Sequence, residues 1–178
     1  PYNLLAMSLG GMVATGWAQR YPLEVCRLVL INTSMQPFSR MTERLRPANW
    51  PQLGLLAARW SDTDYAERTI HKLTCNQTAQ QAEDLAQWRQ IRKSAPVSSQ
   101  NALRQLLAAA RFSCASAAPP CPVLVLSSGA DHLVNPVCST QLAQAWQAEH
   151  RSHSWAGHDL PHDDAQWLVE QVAGWLAT

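Results

Sequence analysis

Two apolar runs enclose a helical pattern at the start of the chain. The run from Asn3 to Met7 ends in a Ser-Leu-Gly-Gly turn, after which residues 10–21 place apolar side chains at helical spacing. Pro22 ends that helix, and the run from Val25 to Ile31 is almost entirely apolar, as in a strand buried on both faces. The order strand, turn, helix, strand predicts a βαβ unit with a parallel sheet.

The middle of the chain is dominated by helical periodicity. Residues 34–60 are rich in Arg, Pro and Trp, and we interpret them as irregular. Three helices are predicted beyond them: one at about 64–75 capped by Asp62, one at about 79–94, and one capped by Ser98 or Ser99. Residues 35–115 are therefore predicted to form a helical insertion.

The strand pattern returns after the insertion. We predict a strand at Val123–Leu126, a helix over Pro136–Glu149, a strand at Arg151–Trp155 and a last helix over His162–Leu176. The predicted fold class is α/β, with a mostly parallel sheet and flanking helices. Its three parts are the first βαβ unit at 1–34, the helical insertion at 35–115 and the remainder of the sheet at 116–178.

The composition is that of a folded domain. The 178 residues are 47% hydrophobic and 15% charged, with a formal net charge of +1, which excludes a disordered chain and suffices for one buried core. The chain has no block of Lys and Arg of the kind that indicates a nucleic-acid partner. It also has no apolar run of the roughly 18 residues that a membrane span needs. The insertion holds 11 of the 14 Lys and Arg residues but 6 of the 13 acidic ones, so it is the basic part of the molecule.

The five cysteines are odd in number and scattered, which does not indicate a disulfide framework. They include no Cys-x-x-Cys pair, so no structural zinc site is expected. We interpret them as the reduced thiols of a cytoplasmic protein.

Ser8 stands in the turn between the first strand and the first helix. A nucleophilic serine in such a turn needs small residues two positions before and after it, and Ala6 and Gly10 supply them. The helix N-terminus favours negative charge, and the N–H of Leu9 points to where an oxyanion would form. An ordinary helix N-cap serine explains the same position.

His158 is the histidine best placed to act as a base for Ser8. Of the six histidines, His158 alone lies in a loop after a strand, at the sheet edge that also carries Ser8. The alternative is an exposed loop histidine. Packing or other structural roles are predicted for His71, His150, His153 and His162.

Asp131 follows the strand at Val123–Leu126 and is the candidate that would orient the imidazole of His158. The alternative is a turn-forming or helix-capping aspartate. Asp163 and Asp164 suit the first turn of the last helix, and Asp159 adjoins His158 too closely to reach back to its ring. The joint order serine, aspartate, histidine, each after a predicted parallel strand, is more specific than any one of the three residues.

Three stretches of the sequence resemble the α/β-hydrolase family. They are AMSLGGMVATGWAQRYPLEVCRLVLINT around the nucleophile, VLVLSSGADHLVNP around the acid and SWAGHDLP around the histidine. The resemblance implies that Ser8 is the nucleophile, Asp131 the triad acid and His158 the general base. It also implies that the insertion is the family's variable cap. Ala6 departs from the family's usual glycine but is small enough for the turn.

The resemblance starts part-way through the family's domain. The chain would supply strands resembling 5 to 8 of the family's sheet, without the loop that provides a second oxyanion N–H beside that of Leu9. We therefore expect residues to precede Pro1 in the native protein. We also expect a second copy, a complementing N-terminal fragment or a rearranged segment to cover the apolar edge at residues 3–7.

The resemblance implies a serine hydrolase that cleaves a carboxylic ester or thioester through an acyl-enzyme, with no metal or organic cofactor. In the insertion, Trp50, Trp60 and Trp88 suit an apolar acyl or alcohol group, and the arginines suit an anionic substrate or an acidic carrier protein. An acyltransferase or perhydrolase would use the same three residues. The alternative from another class is a non-catalytic half-domain that acts as an assembly or binding module.

Overall fold

Four parallel strands form one sheet whose spatial order follows the sequence, β1-β2-β3-β4. The structure is a computed structural model that describes residues 1–177. The strands are β1 at Tyr2–Met7, β2 at Val25–Ile31, β3 at Val123–Ser128 and β4 at Glu149–His153. The predicted α/β class with a parallel sheet is confirmed.

Helices occupy every connection between the strands. α1 (Leu9–Arg20) joins β1 to β2, and α7 (Val137–Trp146) joins β3 to β4. Five helices lie between β2 and β3: α2 (Met41–Arg44), α3 (Trp50–Ala58), α4 (Thr63–Thr74), α5 (Gln81–Ser94) and α6 (Ser99–Arg111). A 3₁₀ turn at Pro47–Asn49 precedes α3, and α8 (Leu160–Asp163) and α9 (Ala165–Leu176) follow β4.

The central strands β2 and β3 are largely buried on both faces, because most of their positions are apolar. Leu28 and Leu30 of β2 pack with α1 and α7 on one face. Val29 and Ile31 point the other way and pack with the segment from Leu160 to Trp175. The alternation of side chains along a strand thus divides one apolar run between two cores.

The predicted helices of the middle segment are largely confirmed, with one correction. Asp62 and Ser98 are the N-caps of α4 and α6, and each side chain accepts a backbone N–H three residues ahead. Residues 34–60 are not irregular throughout, because α2, the 3₁₀ turn and α3 lie within them. Pro47 and Pro51 stand in the first turns of these short elements, where a missing N–H costs no helical hydrogen bond.

Two predictions in the last third of the chain had shifted bounds. The final strand is Glu149–His153, two residues earlier than predicted, and α7 ends at Trp146. The predicted helix over His162–Leu176 is interrupted at Asp164, whose carboxylate caps α9 by accepting the Trp167 N–H at 2.9 Å. The five cysteines are free, and within residues 1–177 we find no helix with the length and apolarity needed to cross a bilayer.

Candidate active site

Ser8 is the single residue between β1 and α1, and its backbone is strained. Its φ of 51° and ψ of −120° lie outside the regions that residues with a Cβ normally occupy. The Ser8 N–H donates to the Ile31 carbonyl at 2.9 Å, and the Ser8 carbonyl accepts from Thr33 Oγ1 at 2.8 Å. Hydrogen bonds to the end of β2 therefore hold the turn in this conformation.

Gly11 is the most restrictive glycine of the turn, which the sequence reasoning missed. A Cβ at Gly11 would lie 2.7 Å from Thr33 Oγ1 and 2.8 Å from Thr33 Cβ, the side chain that bonds the Ser8 carbonyl. At Gly10, which was predicted to need a small residue, the nearest atom to a Cβ would be Ala6 Cβ at 4.0 Å. Glycine is therefore required at position 11, where the chain approaches Thr33 closely, and not at position 10, where a Cβ has room.

Replacing Gly11 by Ala is expected to lower the free energy of unfolding by about 1–3 kcal/mol, because overpacking forces Thr33 to move. Gly10→Ala is the matched control, and we expect it to be neutral or to stabilise by up to about 1 kcal/mol, since alanine restricts the unfolded chain. Urea unfolding of both variants checks this. Equal effects of the two substitutions would show that the contact with Thr33 does not restrict this position.

The structure brings the three predicted side chains together. His158 Nε2 lies 2.9 Å from Ser8 Oγ, and His158 Nδ1 lies 2.7 Å from Asp131 Oδ2. His158 and Asp131 are buried. The side chains form a continuous line from hydroxyl to imidazole to carboxylate, which is the arrangement that activates a serine for nucleophilic attack.

Backbone N–H groups fix the orientation of the Asp131 carboxylate. Its Oδ1 accepts from the Leu133 N–H at 2.8 Å and from the Val134 N–H at 2.9 Å. Oδ2 is left to face His158. The loop after β3 thus presents one carboxylate oxygen to the imidazole, and the other is held by the turn that follows.

Asn32 joins the loop of the acid to the loop of the histidine, a role that sequence reasoning missed. Its side-chain amide donates to the His158 carbonyl at 2.8 Å and to Ser128 Oγ at 2.9 Å, and its Oδ1 accepts the Ser128 N–H at 2.8 Å. Asn32 is buried and has a φ of 46°, a left-handed conformation that asparagine tolerates. An asparagine directly after a buried strand was the only signal for it in the sequence.

Asp163 supports the histidine loop from the other side. Its carboxylate accepts backbone N–H groups from Asn76, Gln77 and Gly157 at 2.6–3.0 Å. A Cβ at Gly157 would lie 2.7 Å from the Thr74 carbonyl, so the loop packs directly against the end of α4. Asp163, a competitor for the triad acid in the sequence, thus binds backbone groups and is not hydrogen-bonded to His158.

Two other histidines have partners of their own, away from Ser8. His150 Nε2 lies 2.8 Å from Ser127 Oγ, and burial lowers the pKa of His150. His153 Nε2 lies 3.1 Å from Asp164. These contacts agree with the structural roles predicted for both.

An apolar cavity of about 160 Å³ opens beside Ser8. Met12, Met41, Leu106 and Leu133 are among its lining residues, and Leu9 lines it at the start of α1. The three tryptophans that were expected to serve an apolar group do not line it. Trp60 and Trp88 line a separate pocket, and Trp50 is half-exposed.

Arg44 is the one ionisable residue among those that line this cavity in the described part of the chain. It is buried, and its guanidinium donates to the carbonyls of Ala109 and Ala110 at the end of α6. Burial lowers the pKa of Arg44 below its usual value. The cavity therefore has an apolar wall and a single cationic side chain.

The comparisons with known proteins agree with this architecture. The profile of the hydrolase family described as serine aminopeptidase S33 matches residues 1–163. The chain belongs to this family. That membership confirms the resemblance to α/β-hydrolases.

Solved structures share the fold at low sequence identity. A hydrolase from Pseudomonas aeruginosa matches with a TM-score of 0.76 and 18% identity, over 99% of this chain and 64% of its own. An enol-lactonase from Burkholderia xenovorans matches at 0.72 and 19%, over 99% and 65%. A thermophilic esterase from Thermogutta terrifontis matches at 0.70 and 22%, over 96% and 62%.

The chain spans about 62–65% of the length of these three structures. At these identities the likeness shows the fold alone. A comparison with curated proteins found no matching sequence.

Proposed function

We propose that the chain carries the catalytic machinery of a serine hydrolase that cleaves a carboxylic ester or thioester. The observation that supports this proposal most is the hydrogen-bonded line from Ser8 through His158 to Asp131. An N-cap serine would bond the backbone of its own helix, but the Ser8 side chain makes no such cap bond.

The proposed mechanism follows the direction of these hydrogen bonds. The Asp131 carboxylate accepts the Nδ1–H of His158, which leaves the Nε2 lone pair to take the proton of Ser8 Oγ as that oxygen attacks the carbonyl carbon. The protonated imidazole then gives its proton to the leaving alcohol or thiol. Water activated by the same His158 hydrolyses the acyl-enzyme and regenerates Ser8.

Leu9 is the proposed oxyanion donor. It is the first residue of α1, where the N–H has no intrahelical acceptor, and it lines the cavity with Ser8. The positive end of the helix dipole adds to its effect. One such N–H donor raises the rate by about 10²–10³-fold. A second oxyanion donor, supplied from outside these four strands, would raise it by a similar factor.

The cavity favours esters and thioesters over peptides with a free amino terminus, although the family is described as serine aminopeptidase. An aminopeptidase must stabilise an ammonium group next to the scissile bond. Within residues 1–177 the one ionisable residue that lines the cavity is the cation Arg44, which would repel that group. An apolar acyl group suits the Met and Leu walls, and an acyl group with a distal anion would also suit Arg44.

The direct test is a fluorophosphonate probe followed by intact-protein mass measurement. We expect one adduct per chain, and none in Ser8→Ala, because only an activated serine reacts with the probe. An adduct that persists in Ser8→Ala would place the reactive group elsewhere. The absence of any adduct on the folded chain would favour the second candidate function.

That second candidate is a non-catalytic assembly module, which the free edge of the sheet favours. β1 pairs with β2 alone among the described strands, and Tyr2 and Leu5 on it are 59% and 51% exposed. An apolar edge strand is a ready template for pairing with another strand. A second copy or a complementing N-terminal segment would supply that strand.

Charging the edge should disrupt the pairing. Leu5→Lys is expected to shift a self-associated protein towards the monomer mass of 19.7 kDa, because a lysine on an edge opposes pairing. Leu23→Lys is the matched control, since Leu23 is 91% exposed in the turn before β2. Light scattering after size exclusion measures the mass. A parent protein that is already monodisperse at the monomer mass would contradict pairing with a second copy.

A further inference from the structure

A cluster of metal-binding side chains lies where α4 and α5 meet α8. The ligand atoms of His71, Cys75 and His162 all lie within 4.8 Å of one another. Asp84 adds a carboxylate oxygen that is 3.0 Å from His162 Nε2 and 3.5 Å from His71 Nε2. The hydrogen-bonded line through Ser8 uses none of these four side chains.

Two buried polar atoms of this cluster have no hydrogen-bond partner among the described residues. They are His71 Nε2 and Asp84 Oδ2. His71 is 0% exposed, and the 3.0 Å approach of Asp84 Oδ2 to His162 Nε2 is an ion-pair contact. Native proteins rarely leave such atoms unpaired, and each one calls for an explanation. A cation bound between them would satisfy both.

The spacing of the atoms suits a small tetrahedral ion. Zinc lies about 2.0–2.3 Å from its nitrogen, oxygen and sulfur ligands, which separates those ligands by about 3.3–3.8 Å. The 3.5 Å between Asp84 and His71 falls in this range, and the 3.0 Å between Asp84 and His162 is only slightly shorter. Small side-chain movements would complete the tetrahedron.

Each histidine also has an outer partner of the kind that metal-binding histidines use. His162 Nδ1 lies 3.4 Å from Asp163 Oδ1, and a carboxylate there orients the ring and leaves Nε2 for the metal. His71 Nδ1 lies 3.2 Å from the side-chain amide of Gln81. A 180° turn of that amide presents its oxygen to a His71 Nδ1–H, so His71 Nε2 is then a free ligand.

We propose that His71, Cys75, Asp84 and His162 bind one Zn²⁺ ion in a closed structural site. Two imidazoles, a thiolate and a carboxylate are ligand types that zinc prefers, and the two anionic groups balance the charge of the ion. Four protein ligands leave no open position, so the ion takes no part in hydrolysis. It fastens α4 and α5 to α8, which begins two residues after His158.

A pocket lined in part by His71 and Cys75 lies beside the cluster. Arg68 and Lys72 also line it, so the attraction for a cation comes from the carboxylate of Asp84. The sequence concealed the site because its ligands come from α5, α8 and the C-terminal end of α4, which Cys75 directly follows, with no short Cys or His motif apart from the spacing of His71 and Cys75.

The test is zinc binding by the full chain. After removal of metal with a chelator and dialysis against Zn²⁺, we expect one zinc per chain by elemental analysis and a rise in Tm, since an ion that binds the folded state stabilises it. Co²⁺ in place of zinc should give a thiolate-to-metal charge-transfer absorption band. Zinc content near zero, or a Co²⁺ complex without that band, would overturn the proposal.

Matched variants assign the ligands. Cys75→Ala should weaken zinc binding by more than about 100-fold, because even outer partners of a metal ligand cost 10–100-fold. Cys138→Ala is the control, since Cys138 is also a buried free cysteine but lies on α7. Asp84→Asn gives a second readout if Cys75→Ala does not fold. Zinc binding that is equal in Cys75→Ala and Cys138→Ala would reject this site and leave Asp84 as an ion-pair partner of the histidines.

Discussion

Replacing Ser8 by Ala is expected to lower kcat for ester hydrolysis by about 10⁶-fold, the loss that removal of a serine nucleophile causes in a complete triad. The substitution removes the hydroxyl that lies 2.9 Å from His158 Nε2. Folding should be little affected, because the turn is held by bonds of the Ser8 backbone and not of its hydroxyl. Steady-state kinetics on a 4-nitrophenyl ester, with circular dichroism as the check on folding, measures the effect.

Ser34→Ala is the matched control for Ser8→Ala. Ser34 is a buried serine that lines the same cavity, so its loss changes the cavity wall but not the hydrogen-bonded line. We expect kcat within about tenfold of the parent protein, a change in barrier of at most about 1.4 kcal/mol. A Ser8→Ala protein that retains more than a small fraction of the parent activity would refute Ser8 as the nucleophile.

Asp131→Asn should lower kcat by about 10⁴-fold, through the tautomer of His158. The N–H groups of Leu133 and Val134 hold the Oδ1 position, so the new amide keeps its oxygen there and turns its NH₂ towards His158 Nδ1. Nδ1 must then accept, and the proton moves to Nε2. An imidazole protonated at Nε2 cannot take the proton of Ser8.

The control for Asp131→Asn is Asp159→Asn, next to His158 in the sequence. Asp159 was the competing acid that cannot reach back to the ring, and the structure gives its side chain no bond to His158. Its loss should leave kcat within about tenfold. If Asp159→Asn and Asp131→Asn reduce kcat to the same degree, the histidine is oriented by some means other than the observed Asp131 contact.

The fold was predictable where local pattern and burial agree. The β2 strand was predicted at its observed bounds. A short run rich in β-branched and apolar residues, bounded by a proline and a polar turn, is typical of a buried strand. The final strand was misplaced by two residues, because its sequence, EHRSH, has a single fully buried side chain, His153. The break at Asp164 was missed because helical spacing continues through it, whereas the non-helical backbone of Asp164 and its cap bond to Trp167 mark the interruption.

The candidate site was predictable only for residues that stand alone in strand-following loops. Ser8, Asp131 and His158 share that placement. The carboxyl ends of parallel strands lie at the same edge of the sheet, so the three residues come close together. Asn32 and Gly11 act through tertiary contacts with segments far along the chain, and no local pattern carries that information. The zinc ligands are hidden for the same reason, since α8 meets α4 and α5 only in the folded molecule.

The separation of 150 positions between Ser8 and His158 has a kinetic consequence. Their contact closes a loop that includes the whole helical segment between β2 and β3, so it forms after much conformational entropy has been lost. Helices α4 to α6 depend on local contacts and can form early. Reactivity at Ser8 should therefore be among the last properties to return on refolding, later than the helical signal in circular dichroism, and it reports completion of the sheet.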